Sequence, residues 1–292
     1  MRKSTMLIET DHGTRMINDT DEFPAIDIGE LQDIFAIPSI SEEYREAMWG
    51  TYTWNGVPVP RVSNILKECI FKDSLIEWAA KVGKKNYEKI RDEAFYIGTN
   101  VHLLIDRILE EGITSRDIDF NQYDHKMNIM RAAKNFEAWQ RHLSSWGYRI
   151  DDIIAIEEPI VTPYYGGTID AIVRINGGVY IVDFKTSRRI SFEYILQTCA
   201  YMWAINSGYH LSIPYIDGVG IIRVDKYRDK FEDLFLNYSV PGQKEMIDQY
   251  IRGFGSLLMS YYNTKNMELL FDVYKRAYLR NDALGRVIED DK

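Results

Sequence analysis

Cysteine is scarce in this chain. Cys69 and Cys199 are the only two in 292 residues, fit no metal-binding spacing, and are too few for a disulfide framework. No run approaches the roughly 18 apolar residues that a membrane-spanning helix requires. The opening MRKSTMLIETDHGTRM lacks the apolar core of a secretory signal. An intracellular, cytoplasmic protein without a membrane partner is therefore expected. The histidines His12, His102, His125, His142 and His210 show no H-E-x-x-H or related zinc spacing. Positive charge is also in deficit: 35 Lys and Arg stand against 44 Asp and Glu, a net charge of −9. That excludes a uniformly basic nucleic-acid coat, but not a local basic groove around an acidic metal site. Internal repeats and low-complexity tracts are absent.

What is present has an ordinary globular balance, 46% apolar and 27% charged, with enough length for a substantial core. The stretch Gly166–Lys185, GGTIDAIVRINGGVYIVDFK, organises the reading. Two runs rich in Ile, Val and Tyr, 168–175 and 179–185, flank Asn176-Gly177, the strongest short hairpin signal because both central residues of a type I′ turn need positive φ. With those two as the loop, Ile175 pairs with Gly178, and counting outward sets Asp170 opposite Asp183. Alternation places Lys185 on their face together with Ile172, Val179 and Ile181, and places Tyr180, Val182 and Phe184 on the other. Opposed Cβ atoms lie about 5 Å apart, where like charges repel. Two carboxylates on an otherwise apolar face call for a cation, and hard oxygen donors select Mg²⁺ or Mn²⁺. Lys185 adds a positive charge for an anionic substrate.

Around the hairpin, residues 1–45 have mixed charge and little period, fitting either a poorly ordered arm or a short strand and loop. A small hairpin is expected at Asn55-Gly56. A helix capped by Ser63 then runs over 64–69, and another over 74–90. Residues 93–111 form an amphipathic helix stopped by Gly112, with Val101, Leu104, Ile105 and Ile108 on its apolar stripe. His102 lies on it, and on periodicity alone a structural role is the simpler reading. Residues 123–146 form another helix, with Met127, Met130, Phe136, Trp139 and Leu143 inward. A strand follows over 152–161, in which Glu157 and Glu158 point to opposite faces, so that only one of them meets the acidic pair. Ser191 caps a helix to about 206, with Ile195, Cys199 and Trp203 as its core stripe. Tyr194, Gln197 and Tyr201 share a separate, partly polar face. Strands over 215–224 and 230–238 and a helix from Pro241 to about 262 complete the body. The end, 281–292, is expected to fray.

Five of these features stand in the order found in the PD-(D/E)XK nucleases, and the chain resembles their RecB-like exonuclease branch, common in phages and mobile elements. They are Gly98-x-x-x-His102 on a helix, Glu157 in a preceding strand, Gly167-x-x-Asp170, Asp183-x-Lys185, and Gln197-x-x-x-Tyr201. The resemblance is firm over the middle third and looser around Val62–Leu66. It implies an α/β fold: a mixed central β-sheet flanked by helices, a restriction-endonuclease-like core over 93–240. A helical N-terminal elaboration (1–92) and a C-terminal helix and tail (241–292) would complete one structural domain.

The resemblance also implies chemistry. Asp170 and Asp183 would bind one or two Mg²⁺ or Mn²⁺ ions, with His102, the Phe184 main-chain carbonyl and Glu157 as further ligands. Glu158 replaces Glu157 if the register shifts by one. Lys185 would activate water as a neutral base or stabilise charge as a cation. Gln197 and Tyr201 would position the motif or touch the scissile strand. DNA would be the partner, with Arg61, Lys126, Ser187, Arg188 and Arg189 toward phosphates and Tyr164 and Tyr165 stacking on unpaired bases. Relatives that carry an iron–sulfur cluster use four cysteines, which this chain does not have. The expected activity is a metal-dependent DNA exonuclease of recombination, repair or replication, acting in the cytoplasm, the host's if the protein is viral. A structure-specific endonuclease of the same fold and an inactive DNA-binding or assembly protein are the alternatives.

Overall fold

A computed structural model of the chain describes residues 6–10, 13–17 and 51–279, with side chains over 51–271 apart from Ser74. The expected fraying of 281–292 lies outside the described residues, as does most of the 1–45 arm, of which only the hairpin β1 (Met6–Thr10) and β2 (Gly13–Ile17) is described. The order continues with β3 (Tyr52–Trp54), β4 (Val57–Val59), α1 (Val62–Cys69), α2 (Asp73–Val82), α3 (Lys84–Glu111) and α4 (Lys126–Ser145). Then come β5 (Ile150–Val161), β6 (Gly166–Ile175), β7 (Gly178–Lys185), α5 (Phe192–Ala204), β8 (Gly218–Val224), β9 (Phe231–Asn237) and α6 (Pro241–Leu279).

Strands β5 to β9 form one five-stranded sheet in sequence order. Every neighbouring pair is antiparallel except β7 and β8, which run parallel. The parallel pair needs a crossover, supplied by α5. Both faces are covered. Ile172, Val179, Ile181 and Val219 pack with α1, α5 and α6. Ala171, Val173, Val182 and Phe184 pack with α3 and α4. The result is a mixed α/β protein with helices on both sides of a mixed sheet.

The central hairpin has the expected register, from Ile175 opposite Gly178 to Ala171 opposite Val182. Asn176 and Gly177 take the positive φ values, 46° and 84°, that the two-residue turn demands. Asn55 and Gly56 repeat the device at β3–β4.

The helix boundaries differ from the expectation at several points. Ser63 lies inside α1, whose N-cap is Arg61, because the helix begins two residues earlier and buries Val62. The anticipated 74–90 helix is two pieces broken at Gly83 (φ 77°), after which α3 runs unbroken for 28 residues. Gly112 ends it in the left-handed region as expected. On α4, Met127 points to solvent, and Ile129, Ala132 and Ala133 take the buried face with Phe136 and Trp139. Asn135 on the same face is buried because its amide ties two carbonyls of the β8–β9 turn, those of Asp225 and Arg228. α6 continues well past 262. Among the described residues no helix is long and apolar enough to cross a membrane.

Candidate metal centre

The β6–β7 ladder ends at Ala171 and Val182. One step further, the main-chain pairing gives way. Phe184 N–H donates instead to the Asp170 carboxylate, Oδ2 at 2.8 Å. The acidic pair of the hairpin therefore sits where two strands part, and α3 crosses that gap. His102 reaches it from α3, Nδ1 3.5 Å from Asp170 Oδ2, with its ring edge-on to Phe184. β5 brings in Glu157. One ligand atom each from His102, Glu157 and Asp170 lies within 4.8 Å of the others.

Glu157 holds an unusual backbone. Its φ is 49°, and among the described residues it is the one non-glycine with positive φ inside a strand. Asn55 and Asn176 have the same sign because they are turn residues. A long side chain in the left-handed region costs about 1–3 kcal/mol and persists only where its surroundings impose it. Glu158 has a different fate: its carboxylate bonds His210 at 2.7 Å. The strand register thus gives the cluster Glu157 and leaves Glu158 outside it.

Asp183 and Lys185 form a pair beside the cluster, Oδ1 to Nζ at 2.5 Å. Asp183 is 3% exposed, and its Oδ2 is buried without a hydrogen-bond partner. Burial raises its carboxyl pKa, against the pull of Lys185. Burial works against the charge of Lys185 too, but Asp183 and Asp170 outweigh it and hold the ammonium protonated. Burial lowers His102, with Asp170 pulling the other way, so its imidazole is neutral and free to donate a lone pair.

Sequence reasoning missed one group. Asp106 lies one helical turn beyond His102, 7% exposed, with Oδ1 fully buried and unpartnered. Burial and the charges of Glu157, Asp170 and Glu110 push its carboxyl up to about 7. Its spacing of four from His102 was the available signal, since i and i+4 share a helix face. The donors fit a hard divalent cation: oxygens of Glu157 and Asp170, one neutral imidazole, and two buried carboxylate oxygens nearby, Asp106 Oδ1 and Asp183 Oδ2, that have no hydrogen-bond partner.

The other expected residues divide. Tyr201 is buried against Gly167, where an added Cβ would collide with its ring. Its hydroxyl meets Gln197 Nε2 at 3.4 Å. Arg61 is exposed, bonds Thr51 and stacks over Tyr52, whose own hydroxyl bonds Thr168 on β6. Lys126 bonds Asn121 at the start of α4. Arg188 and Arg189 are exposed on the loop after β7, which Ser187 braces through the Arg189 carbonyl. Tyr164 and Tyr165 need correction as base-stacking residues. They are 5% and 0% exposed, because Tyr165 bonds the Ala200 carbonyl and packs on Trp203 and Phe254. The Tyr164 carbonyl takes the Tyr262 hydroxyl. The pair is core that anchors β6 to α5 and α6.

No family model matches the chain, and no curated protein matches it. Among solved structures it aligns with one described as "Crystal structure of SSO0001", at 15% identity and a TM-score of 0.23, over 44% of this chain and 60% of that one. A likeness that loose carries no argument about fold or function.

Proposed function

We propose that this chain is a divalent-metal-dependent deoxyribonuclease with a restriction-endonuclease-like core, acting on DNA ends as an exonuclease. One observation carries the reading. A neutral histidine and two carboxylates from α3, β5 and β6 come together beside a buried Asp183–Lys185 pair at the parting of two strands. Two carboxylates, Glu157 and Asp170, brought together beside that pair are costly without a further cation.

His102, Glu157 and Asp170 would hold the ion, with the unpartnered Asp183 oxygen as the adjoining donor. A bound Mg²⁺ or Mn²⁺ supplies Lewis acidity toward a phosphoryl oxygen and a lowered pKa for water. Lys185 enters as a fixed cation rather than a base, since its acidic neighbours keep it protonated. Its role is electrostatic: it meets the charge that grows on the phosphate as the bond is attacked. Tyr201 and Gln197 act behind the site, Tyr201 by packing on Gly167 three residues before Asp170. An endonuclease of the same architecture would use the same groups, and substrates with blocked ends separate the two.

The test is cleavage of end-labelled single- and double-stranded DNA, free or blocked at both ends, with Mg²⁺, Mn²⁺ or EDTA. Metal-dependent shortening from free ends, abolished in Asp170→Asn and Lys185→Met, is the expected outcome. Cleavage of blocked substrates moves the reading to an endonuclease. No cleavage under any metal removes the nuclease and leaves a DNA-binding or assembly role.

A further inference from the structure

The parallel register of β7 and β8 sets Lys185 beside Arg223. Three residues beyond each, at the same edge of the sheet, come Arg188 and Lys226. Arg223 ties the two loops together. Itself 1% exposed, it donates to the Ser187 carbonyl at 3.1 Å, to Asp225 at 3.2 Å and to Glu232 at 2.9 Å. From the α4 side, Asn128 bonds the Lys226 carbonyl at 3.0 Å. The main chain of residue 226 is thus held from two directions.

Lys226 is 7% exposed, and among the described residues no carboxylate lies within ion-pair distance of its ammonium. Its acidic neighbours are engaged elsewhere. Asp225 accepts the N–H groups of Tyr227 and Arg228 through Oδ1 and Arg223 through Oδ2. Glu93 sits 3.5 Å from His125. The remaining charge that bears on Lys226 is Arg188, of like sign. Burial, with Arg188 added, lowers the pKa of Lys226 despite Glu93 and Asp225. The Tyr227 ring lies 5.7 Å from Nζ. Its nitrogen is not among the fully buried orphan atoms, so it keeps access to solvent. A desolvated ammonium with donors to spare, beside an exposed guanidinium, is suited to an anion with several oxygens.

We propose that Lys226 and Arg188 form an anion site that takes a phosphate of the nucleic-acid strand flanking the scissile bond. This rests on the nuclease reading for its placement. α3 supplies the scale: Glu93, beside Lys226, and His102, at the metal cluster, are nine positions apart on one helix. That is about 13 Å of axial rise, and Gly98 between them lies against Thr186 at the head of the Arg188 loop. The strand would run along this edge of the sheet, its reacting phosphate at Asp170 and a neighbouring one at Lys226.

The experiment is fluorescence anisotropy of a labelled single-stranded oligonucleotide in EDTA, titrated with salt, for the full chain and for Lys226→Met, Lys226→Arg and Arg188→Met. Lys226→Met is expected to weaken binding about ten- to a hundredfold and to shallow the salt slope by roughly one ion. Lys226→Arg should retain both, and Arg188→Met should show a smaller loss of the same kind. Competition by an unlabelled circular strand with equal loss assigns a backbone diester; loss confined to 5′-phosphorylated linear strands assigns a terminal phosphate. Lys226→Met that melts like the wild type and binds with unchanged affinity and slope overturns the site, as does a wild type that binds no oligonucleotide. Cleavage with Mg²⁺ is a separate readout. Binding lost in Lys226→Met by a chain that cleaves nothing keeps the anion site and discards the nuclease.

Discussion

The hydroxyl end of Tyr201 lies so close to Gly167 that residue 167 has no room for a Cβ. The contact links two of the sequence motifs physically, since Gly167 precedes Asp170 on β6 and Tyr201 comes from the crossover helix α5. A methyl at 167 must push a ring that is 4% exposed out of its packing. Gly167→Ala is therefore expected to destabilise the chain by about 1–3 kcal/mol, read as a fall in the urea midpoint. In a Tyr201→Ala background the same substitution should cost little, because the atoms it strikes are gone. Additive effects in this double-mutant cycle would mean that the contact is not the cause.

The strained backbone at Glu157 gives the second prediction. Replacing it by glycine relieves a φ of 49° and removes a carboxylate that faces Asp170 and Asp106. Glu157→Gly should raise the melting temperature in EDTA, by an amount corresponding to about 1–3 kcal/mol, while weakening Mn²⁺ binding at least tenfold. Glu157→Gln separates the two parts: it keeps the strain and loses the charge, so it should lose metal affinity with a smaller gain in stability. Equal stability of the glycine variant and the wild type would argue that the conformation costs nothing.

These two positions also mark how far the sequence could be read. The hairpin register, both type I′ turns and the stripe Ile195, Cys199 and Trp203 were legible because they follow from local chemistry: a period of two, a period near four, and residues that tolerate positive φ. The burial of Tyr164 and Tyr165 was not. Two aromatics in a Gly-rich turn look like an exposed platform until α5 and α6 close over them, and that contact joins residues far apart in the chain. Asp106 was missed for a related reason. The spacing from His102 puts it on the right helix face, but its burial and the approach of Glu157 from β5 join residues far apart in the chain, which no local pattern reports.

Asp106 carries a pH dependence whose sign is fixed. Its folded pKa is pushed up to about 7, by burial first and by Glu157, Asp170 and Glu110 after it, against about 3.9 in an unfolded chain. A raised carboxyl favours folding while protonated. The contribution is fully present below about pH 4 and is lost as pH rises toward 7. In EDTA, Asp106→Asn should come closest to the wild type below about pH 4 and exceed it by roughly 2–4 kcal/mol at pH 8. Urea midpoints across that range give the two curves, and parallel curves would place the titration elsewhere. Added Mn²⁺ should close the gap at pH 8, where a cation replaces the missing proton.

The last prediction concerns what holds Asp183 when its partner is taken away. Lys185 Nζ stands 2.5 Å from Asp183 Oδ1, while Oδ2 has no partner and the residue is 3% exposed. Breaking a buried pair strands the remaining charge at a cost of about 3–5 kcal/mol. Lys185→Met should therefore be strongly destabilised in EDTA at pH 8 and recover part of that loss toward pH 5, where Asp183 can be protonated instead. A divalent ion offers Asp183 a second counter-charge. If Asp183 belongs to the metal site, saturating Mn²⁺ must stabilise Lys185→Met more than it stabilises the wild type, because only in the variant does the ion also relieve an unpaired carboxylate. Equal increments in melting temperature would show that Asp183 takes no part in holding the ion, and its pairing with Lys185 would then be structural.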